Sequence, residues 1–260
     1  MRAISLAKFE DNITNEDAAI AKENMIAVSD GAGGGGVFAE YWSQYLVTHL
    51  ADKPIKSYRY FDKWIDGIWE SFYNDCEEKA KKIGGMFLNK FYDEGSFATL
   101  VAVWKNGDWI SYGDSVAFCY NMKSGELQHT FTRLADFNNP PYLINCKDPL
   151  EKKGFRCGKF KITKDCILFV TSDTLAHYII MMYEVTHSDN YADELQEAIK
   201  AQTKNSNFIK TAMEMNAIDF QKVVIQKLLN CNRGFLLTNH IKGLKKKGLI
   251  GHDDYSIAML

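Results

Sequence analysis

Residues 25–36 read Met-Ile-Ala-Val-Ser-Asp-Gly-Ala-Gly-Gly-Gly-Gly. The short apolar run predicts a buried β-strand, and Asp30 follows at its end. The glycines after it allow another group to approach the backbone closely. Two kinds of site have this outline. One is a dinucleotide-binding loop, in which glycines make room for a pyrophosphate, and the other is a hard-metal site, in which the aspartate is a ligand.

The glycine run satisfies a dinucleotide-binding pattern. Gly31, Gly33 and Gly36 stand as G-x-G-x-x-G, and a helical pattern follows from Val37. This hypothesis predicts a nucleotide-dependent oxidoreductase with bound NAD or FAD and a parallel sheet. Two features count against it. The carboxylate of Asp30 would repel a pyrophosphate, and the chain continues into a second helical pattern instead of a second parallel strand.

Acidic residues also stand at the ends of other strand-like runs. A single aspartate in such a place is more often a turn or helix-cap residue. The repetition favours a shared metal site, because clustered carboxylates repel one another and need cations to coexist. Besides Asp30, the acidic residues in such positions are Glu16, Asp17, Asp114, Asp173 and Asp253.

Several motifs together resemble the metal-dependent Ser/Thr protein phosphatases of type 2C, the PPM family, and a bacterial member in particular. The resemblance covers about residues 3–260, and it depends on the order of the motifs, since none is decisive alone. It implies an α+β fold, a four-layer αββα sandwich of two antiparallel sheets flanked by helices. The motifs are Glu16-Asp17, Val28-Ser29-Asp30-Gly31, Gly95-Ser96, Gly113-Asp114-Ser115, Ser172-Asp173 and Asp253-Asp254-Tyr255-Ser256.

The resemblance implies a dinuclear Mn²⁺ or Mg²⁺ centre. Asp30 would bridge both ions, the carbonyl of Gly31 would bind one, and Asp173 and Asp253 would complete the shell of the other. These three aspartates would be catalytic through metal-bound water, which attacks the phosphorus without a phosphoenzyme. The implied activity is hydrolysis of phosphoserine and phosphothreonine on a phosphorylated protein substrate.

The remaining site residues are implied in the same way. Glu16 and Asp17 would contact metal-coordinated water or lie just behind the ligands. Asp114 corresponds to the position that helps to hold a third, weaker ion in bacterial relatives. Asn12 stands where the family usually carries an arginine that grips the substrate phosphate, and Lys8 is a candidate to replace it.

Two further departures concern the segment after Asp173. The family usually has glycine at the position of Thr174 and often aspartate at that of His177. His177 is interpreted mainly as an ordinary helix residue, with a metal-linked proton donor as the alternative. Together with Asn12, these departures suggest a second hypothesis, in which the chain is a catalytically weak or inactive binding or regulatory module with a phosphatase fold.

Composition agrees with one large globular domain, which we expect to span residues 1–260. The chain is 46% hydrophobic with a net charge of −2, which gives no reason to expect nucleic acid or an anionic membrane as a partner. The start lacks a secretory signal, and no apolar run approaches the roughly 18 residues needed to cross a bilayer. Six scattered cysteines without a Cys-x-x-Cys pair favour reduced thiols, and therefore a cytoplasmic protein.

Hydrophobic periodicity predicts the order of the elements. Strands are expected at 2–8, 18–29, 98–104, 109–112, 116–121 and 127–131, with a strand hairpin over 159–172. Helices are expected at 37–51, 58–83, 175–184, 192–201 and 208–229, and residues 132–158 are predicted to be irregular. Residues 175–247 are predicted to form an enlarged helical region.

Overall fold

Two antiparallel five-stranded sheets form the centre of the molecule in a computed structural model, which describes residues 1–10, 13–34, 36–215 and 219–260. The first sheet has the order β1 (Arg2–Leu6), β12 (Tyr255–Met259), β11 (Cys166–Thr171), β7 (Val116–Asn121) and β8 (Leu127–His129). The second has the order β10 (Phe155–Lys159), β6 (Asp108–Tyr112), β5 (Leu100–Trp104), β3 (Met25–Ser29) and β2 (Ala18–Lys22). A short pair joins β4 (Phe97–Ala98) to β9 (Ile144–Asn145).

Helices cover the outer face of each sheet. The second sheet carries α1 (Ala39–His49), α2 (Tyr58–Asp66), α3 (Trp69–Ile83) and α4 (Gly85–Glu94). The first sheet carries α5 (Asp173–Thr186), α6 (Ser188–Lys200), α7 (Lys204–Met213), α8 (Gln226–Asn230) and α9 (Gly234–Lys246). A π-helical turn, Gln221–Ile225, leads into α8, and 3₁₀ turns occupy Leu134–Asn138 and Lys152–Gly154.

Three apolar cores hold these four layers together. The middle core lies between the sheets, where Ile26 and Val28 of β3 share one cluster with Val170 of β11. The two outer cores lie between each sheet and its helices. The predicted αββα sandwich with two antiparallel sheets is therefore confirmed.

The strand β3 shows why the opening apolar run does not alternate with polar residues. Met25 and Ala27 face the helical layer, whereas Ile26 and Val28 face the other sheet. All five residues of β3 are buried, because a strand covered on both faces has no solvent side. The chain leaves this strand at Asp30, so the buried strand holds Asp30 in a fixed position.

Several predicted elements differ from those observed. The strand expected at 18–29 is a hairpin of β2 and β3, which are joined by a two-residue turn. The helix expected at 58–83 is divided, because α2 ends at Asp66 and α3 begins at Trp69. The hairpin expected over 159–172 is wrong, since β10 pairs with β6 in one sheet while β11 pairs with β7 and β12 in the other. The helix α4 and the strand β10 fall where no element was expected.

The enlarged helical region at 175–247 is present as α5 to α9. The helix expected at 208–229 is interrupted between α7 and the π-helical turn, and residues 216–218 lie outside the described residues. Within the described ranges, no helix is both long and apolar enough to span a bilayer. All six cysteines are free thiols.

Glu184 provides a test of this helical layer. Its side chain is buried on α5, and Oε2 has no hydrogen-bond partner in the part of the chain that the structure describes. Burial, with a smaller contribution from Glu194, raises the pKa of Glu184 from 4.5 to about 8. Because the folded-state pKa is raised, this group stabilises the fold at low pH, and the stabilisation is lost as pH rises through that window.

Glu184→Gln should therefore flatten the decline of stability toward pH 8. By linkage, its advantage over the wild type in the free energy of unfolding should grow by as much as about 4 kcal/mol across the window. Urea unfolding at a series of pH values measures this. The exposed Glu214 gives the control Glu214→Gln, which should follow the wild type. Equal pH slopes for wild type and Glu184→Gln would show that the carboxyl is not buried as described.

Candidate metal centre

A cleft of about 260 Å³ opens where the ends of several strands meet. Its lining includes the glycine run after β3 and the threonine Thr99, which precedes β5. Five of its six polar lining side chains are carboxylates, and they come from separate segments of the chain. These carboxylates are Glu16, Asp30, Asp114, Asp173 and Asp253.

Strand register in the second sheet brings two of the predicted ligands together. Ala18 is paired with Ser29 between β2 and β3. The next residues outward are Asp17 and Asp30, which therefore lie side by side. Asp17 is 7% exposed, so its carboxylate lies behind the cleft surface.

Register in the first sheet places the other aspartates. Thr171 at the end of β11 is paired with the first residue of β7 and the third of β12. Asp173 therefore leaves the sheet between the turn that carries Asp114 and the segment that carries Asp253. The backbone N–H of Thr174 donates to the Asp173 carboxylate at the start of α5.

Hydroxyl groups fix the position of Asp30. Its backbone N–H donates to Thr99 Oγ1 at 3.2 Å, and its carbonyl accepts from the Thr99 N–H at 2.8 Å. Thr99 Oγ1 is also 2.7 Å from the buried Ser115 Oγ, on the turn after Asp114. This pair ties β3 to β5 and to the β6–β7 turn. No motif in the sequence pointed to this role of Thr99.

Asp254 clamps the chain segments beside the cleft. Its Oδ1 accepts from the backbone N–H of Lys8 at 2.7 Å, and its Oδ2 accepts from that of Glu16 at 2.6 Å. Charge-assisted bonds of this kind are stronger than neutral ones. The carbonyl of Glu16 in turn accepts from Gly31 N–H at 3.2 Å and from Ser43 Oγ at 2.5 Å. Sequence analysis quoted Asp254 in a motif but assigned it no role.

Burial and crowded negative charge raise the pKa values of the cleft carboxylates. Burial, followed by the charges of Asp17, Asp173, Asp114 and Asp253, holds the pKa of Asp30 well above its usual range. Burial and the Asp253 charge raise the pKa of Asp173 to about 6. Burial and the Asp173 charge raise the pKa of Asp114 to about 8.

Asp17 has a carboxylate buried behind the surface of the cleft. Burial holds its pKa well above the usual range, and the nearby hydroxyls of Ser172 and Ser256 oppose this only in part. Neither Asp17 oxygen has a hydrogen-bond partner among the residues described. A buried carboxylate without partners is costly unless it is protonated or paired with a cation.

The donor chemistry of the cleft fits a hard divalent cation. The donors are carboxylate and carbonyl oxygens, which Mg²⁺ and Mn²⁺ prefer. Across the described ranges, no Lys, Arg or His lies within ion-pair distance of the cleft carboxylates. Within the same ranges, no three His, Cys, Asp or Glu side chains stand as a ready-made ligand group.

The predicted phosphate-binding residues have different outcomes. Asn12 lies outside the described residues. Lys8 lies near the cleft, where its charge partly offsets the rise that burial causes in the pKa of Glu16. A cation that sequence analysis missed is Arg156 on β10, which donates to the carbonyl of Gly113 at 2.8 Å beside Asp114.

His177 is a core residue of the helical layer. It is 5% exposed, its ring meets those of Phe137 and Phe208 edge to face, and it does not line the cleft. Burial lowers the pKa of His177 to about 4. These surroundings agree with the interpretation of His177 as an ordinary helix residue, and not with a proton donor at the site.

Comparison with known proteins identifies the fold. No protein-family model and no curated protein matches the sequence. Solved structures match along nearly the whole chain. The catalytic domain of the serine/threonine phosphatase PstP, in complex with two manganese ions, has a TM-score of 0.51 at 16% identity, covering 99% of this chain and 95% of that one. The chain has the PPM phosphatase fold.

Two further structures agree with this fold. PstP/Ppp from Mycobacterium tuberculosis has a TM-score of 0.52 at 15% identity, and the two chains are covered to 99% and 96%. The PPM phosphatase MsPP from Mycobacterium smegmatis, in complex with cacodylate, has a TM-score of 0.50 at 13% identity with the same coverage.

The PPM fold excludes the dinucleotide-binding hypothesis. That hypothesis required a parallel sheet, whereas β3 is antiparallel to both of its neighbours, β2 and β5. Glycine is required in this run for another reason. A Cβ at Gly31 would lie 2.5 Å from the carbonyl oxygen of Glu16 and 2.8 Å from that of Ala39, and one at Gly36 would lie 2.6 Å from that of Gly95. Backbone packing, and not a pyrophosphate, requires glycine at these two positions.

Gly31→Ala should therefore displace backbone beside the cleft and destabilise the protein. Its Cβ would meet backbone on two sides, and overpacking of this kind costs about 1–3 kcal/mol. Gly34 gives a matched control in the same run, because a Cβ there would meet nothing within 4 Å. Gly34→Ala should unfold at the wild-type urea concentration or slightly above it. Equal midpoints for the two variants would contradict the close packing at Gly31.

Proposed function

We propose that the cleft hydrolyses phosphoserine and phosphothreonine in proteins with two bound Mn²⁺ or Mg²⁺ ions. The observation that carries the proposal is that five carboxylates converge on one cleft of a PPM fold. None of them forms an ion pair with a described residue. The two manganese ions in the PstP structure support the same cofactor here. Residues 1–260 would act as one catalytic domain.

The residues that would hold the two ions are those predicted from the sequence. Asp30, the carbonyl of Gly31, Asp173 and Asp253 are the proposed ligands, and all four residues line the cleft. Glu16 and Asp17 would lie next to them. Asp114 also lines the cleft and is the proposed ligand of a third ion.

Bound ions would offset the charge of a phosphate group and favour ionisation of a water molecule as the nucleophile. The protein's own part is to hold the ligands rigidly. Thr99 and Ser115 fix the backbone of Asp30, and Asp254 fixes that of Glu16. None of the six cysteines lines the cleft, so no thiol is placed to act as the nucleophile.

Activity of the purified chain on p-nitrophenyl phosphate and on a phosphothreonine peptide tests the proposal. Turnover should need Mn²⁺ or Mg²⁺, stop with EDTA and survive thiol alkylation. Asp30→Asn and Asp173→Asn should each lower kcat/KM more than about a hundredfold, since even residues behind the ligands cost ten- to a hundredfold. Asp75→Asn, the same change on the exposed face of α3, is the control and should retain wild-type activity.

Mn²⁺ titration by calorimetry separates the two hypotheses that remain. Binding that is lost in Asp30→Asn, without turnover in the wild type, would support the inactive binding module with a phosphatase fold. Full metal-dependent turnover in Asp30→Asn would refute the assignment of the site.

A further inference from the structure

A second cavity lies in the helical layer over the first sheet. It measures about 400 Å³, is bordered by α5, the π-helical turn, α8 and α9, and is open to solvent on one side. None of its lining residues lines the carboxylate cleft. We call it the helix-layer cavity and define it by Tyr178, Lys222, Lys227, His240 and Lys247.

Two polar side chains of this cavity have no partner. Tyr178 is fully buried, and its hydroxyl forms no hydrogen bond with any residue that the structure describes. The same holds for Nε2 of His240. Nearly all buried polar groups in native proteins are hydrogen-bonded, and an unpaired one destabilises the fold. Two unpaired groups in the wall of one cavity are therefore available to bond a molecule that enters it.

The charge of the cavity is positive. Lys227 and Lys247 form no ion pair with any described residue, whereas Lys222 is paired with Asp219 at 3.0 Å. Burial, followed by the charges of Lys227 and Lys247, lowers the pKa of His240 to about 4. The imidazole is therefore neutral at pH 7 and keeps one N–H for donation. Such surroundings favour an anionic group.

Apart from Asn239, the rest of the lining is apolar, and it leaves room for an organic molecule. Met215, Val223, Leu244 and Leu249 provide the apolar surface. Gly243 lies in the last turn of α9, and a Cβ there would meet nothing within 4 Å. The volume falls in the range of about 300–1,000 Å³ that small-molecule sites occupy. The π-helical turn on one wall is a rare element that is frequent at functional sites.

We propose that the helix-layer cavity binds a small organic anion, with its apolar body against Leu244 and Leu249 and its acidic group between Lys227 and Lys247. Tyr178 and His240 then supply hydrogen bonds to the bound molecule. A small molecule fits better than a peptide, because the volume is within the range of small-molecule sites. The proposal is independent of the phosphatase activity.

Fluorescence titration with 1-anilinonaphthalene-8-sulfonate, an aromatic anion with an apolar body, tests it. Competition by 1-naphthoate and by inorganic phosphate distinguishes an organic anion from the acidic group alone. Saturable binding at one site, displaced by naphthoate but not by phosphate, is expected. Lys227→Gln combined with Lys247→Gln should weaken it at least about tenfold, because charge-assisted hydrogen bonds are stronger than neutral ones. Lys246→Gln, the same change at a neighbouring residue that does not line the cavity, is the control.

Two variants exclude a general loss of structure. Gly243→Leu fills the cavity while it improves helix propensity, so it should abolish binding without lowering the melting temperature. Tyr178→Phe removes an unpaired buried hydroxyl, so it should weaken binding while the unliganded protein stays at least as stable. Binding that is equal in the wild type, Gly243→Leu and the double lysine variant would overturn the proposal. So would no binding at millimolar probe, or a preference for an acidic peptide over naphthoate.

Discussion

Repulsion among buried carboxylates is the interaction on which the cleft depends. Asp30 lies within reach of the charges of four other aspartates, and burial removes the water that would screen them. A protein gathers charge in this way only where a cation or protons compensate it. The hydroxyl pair of Thr99 and Ser115 and the Asp254 clamp hold the segments in place against that repulsion.

The sandwich explains how distant parts of the chain supply one site. Antiparallel pairing puts the end of one strand beside the start of its neighbour, so residues far apart in sequence emerge at one edge. Asp17 and Asp30 meet through the β2–β3 register, and Asp173 meets the turn of Asp114 through β11 and β7. The close backbone packing at Gly31 brings α1 against this edge as well.

Much of this arrangement was predictable from local sequence. A largely apolar run followed by aspartate indicated β3, and the resemblance of the ordered acidic motifs to the PPM family implied the four-layer sandwich. Features that depend on long-range contacts had no local signal. β10 is a half-exposed edge strand with Gly158 in it, so its pairing with β6 left no periodic pattern. Arg156 reaches Asp114 only through that pairing, and the clamp by Asp254 joins residues more than two hundred positions apart.

Anomalous diffraction from crystals soaked in Mn²⁺ tests the central claim most directly, since it locates the ion without relying on turnover. The account predicts peaks in the carboxylate cleft, with oxygens of Asp30 and Asp173 within the roughly 2.0–2.6 Å typical of hard-cation ligands. It also predicts that these peaks vanish in Asp30→Asn crystals. A cleft without anomalous density at saturating Mn²⁺, with its carboxylates unmoved, would contradict it.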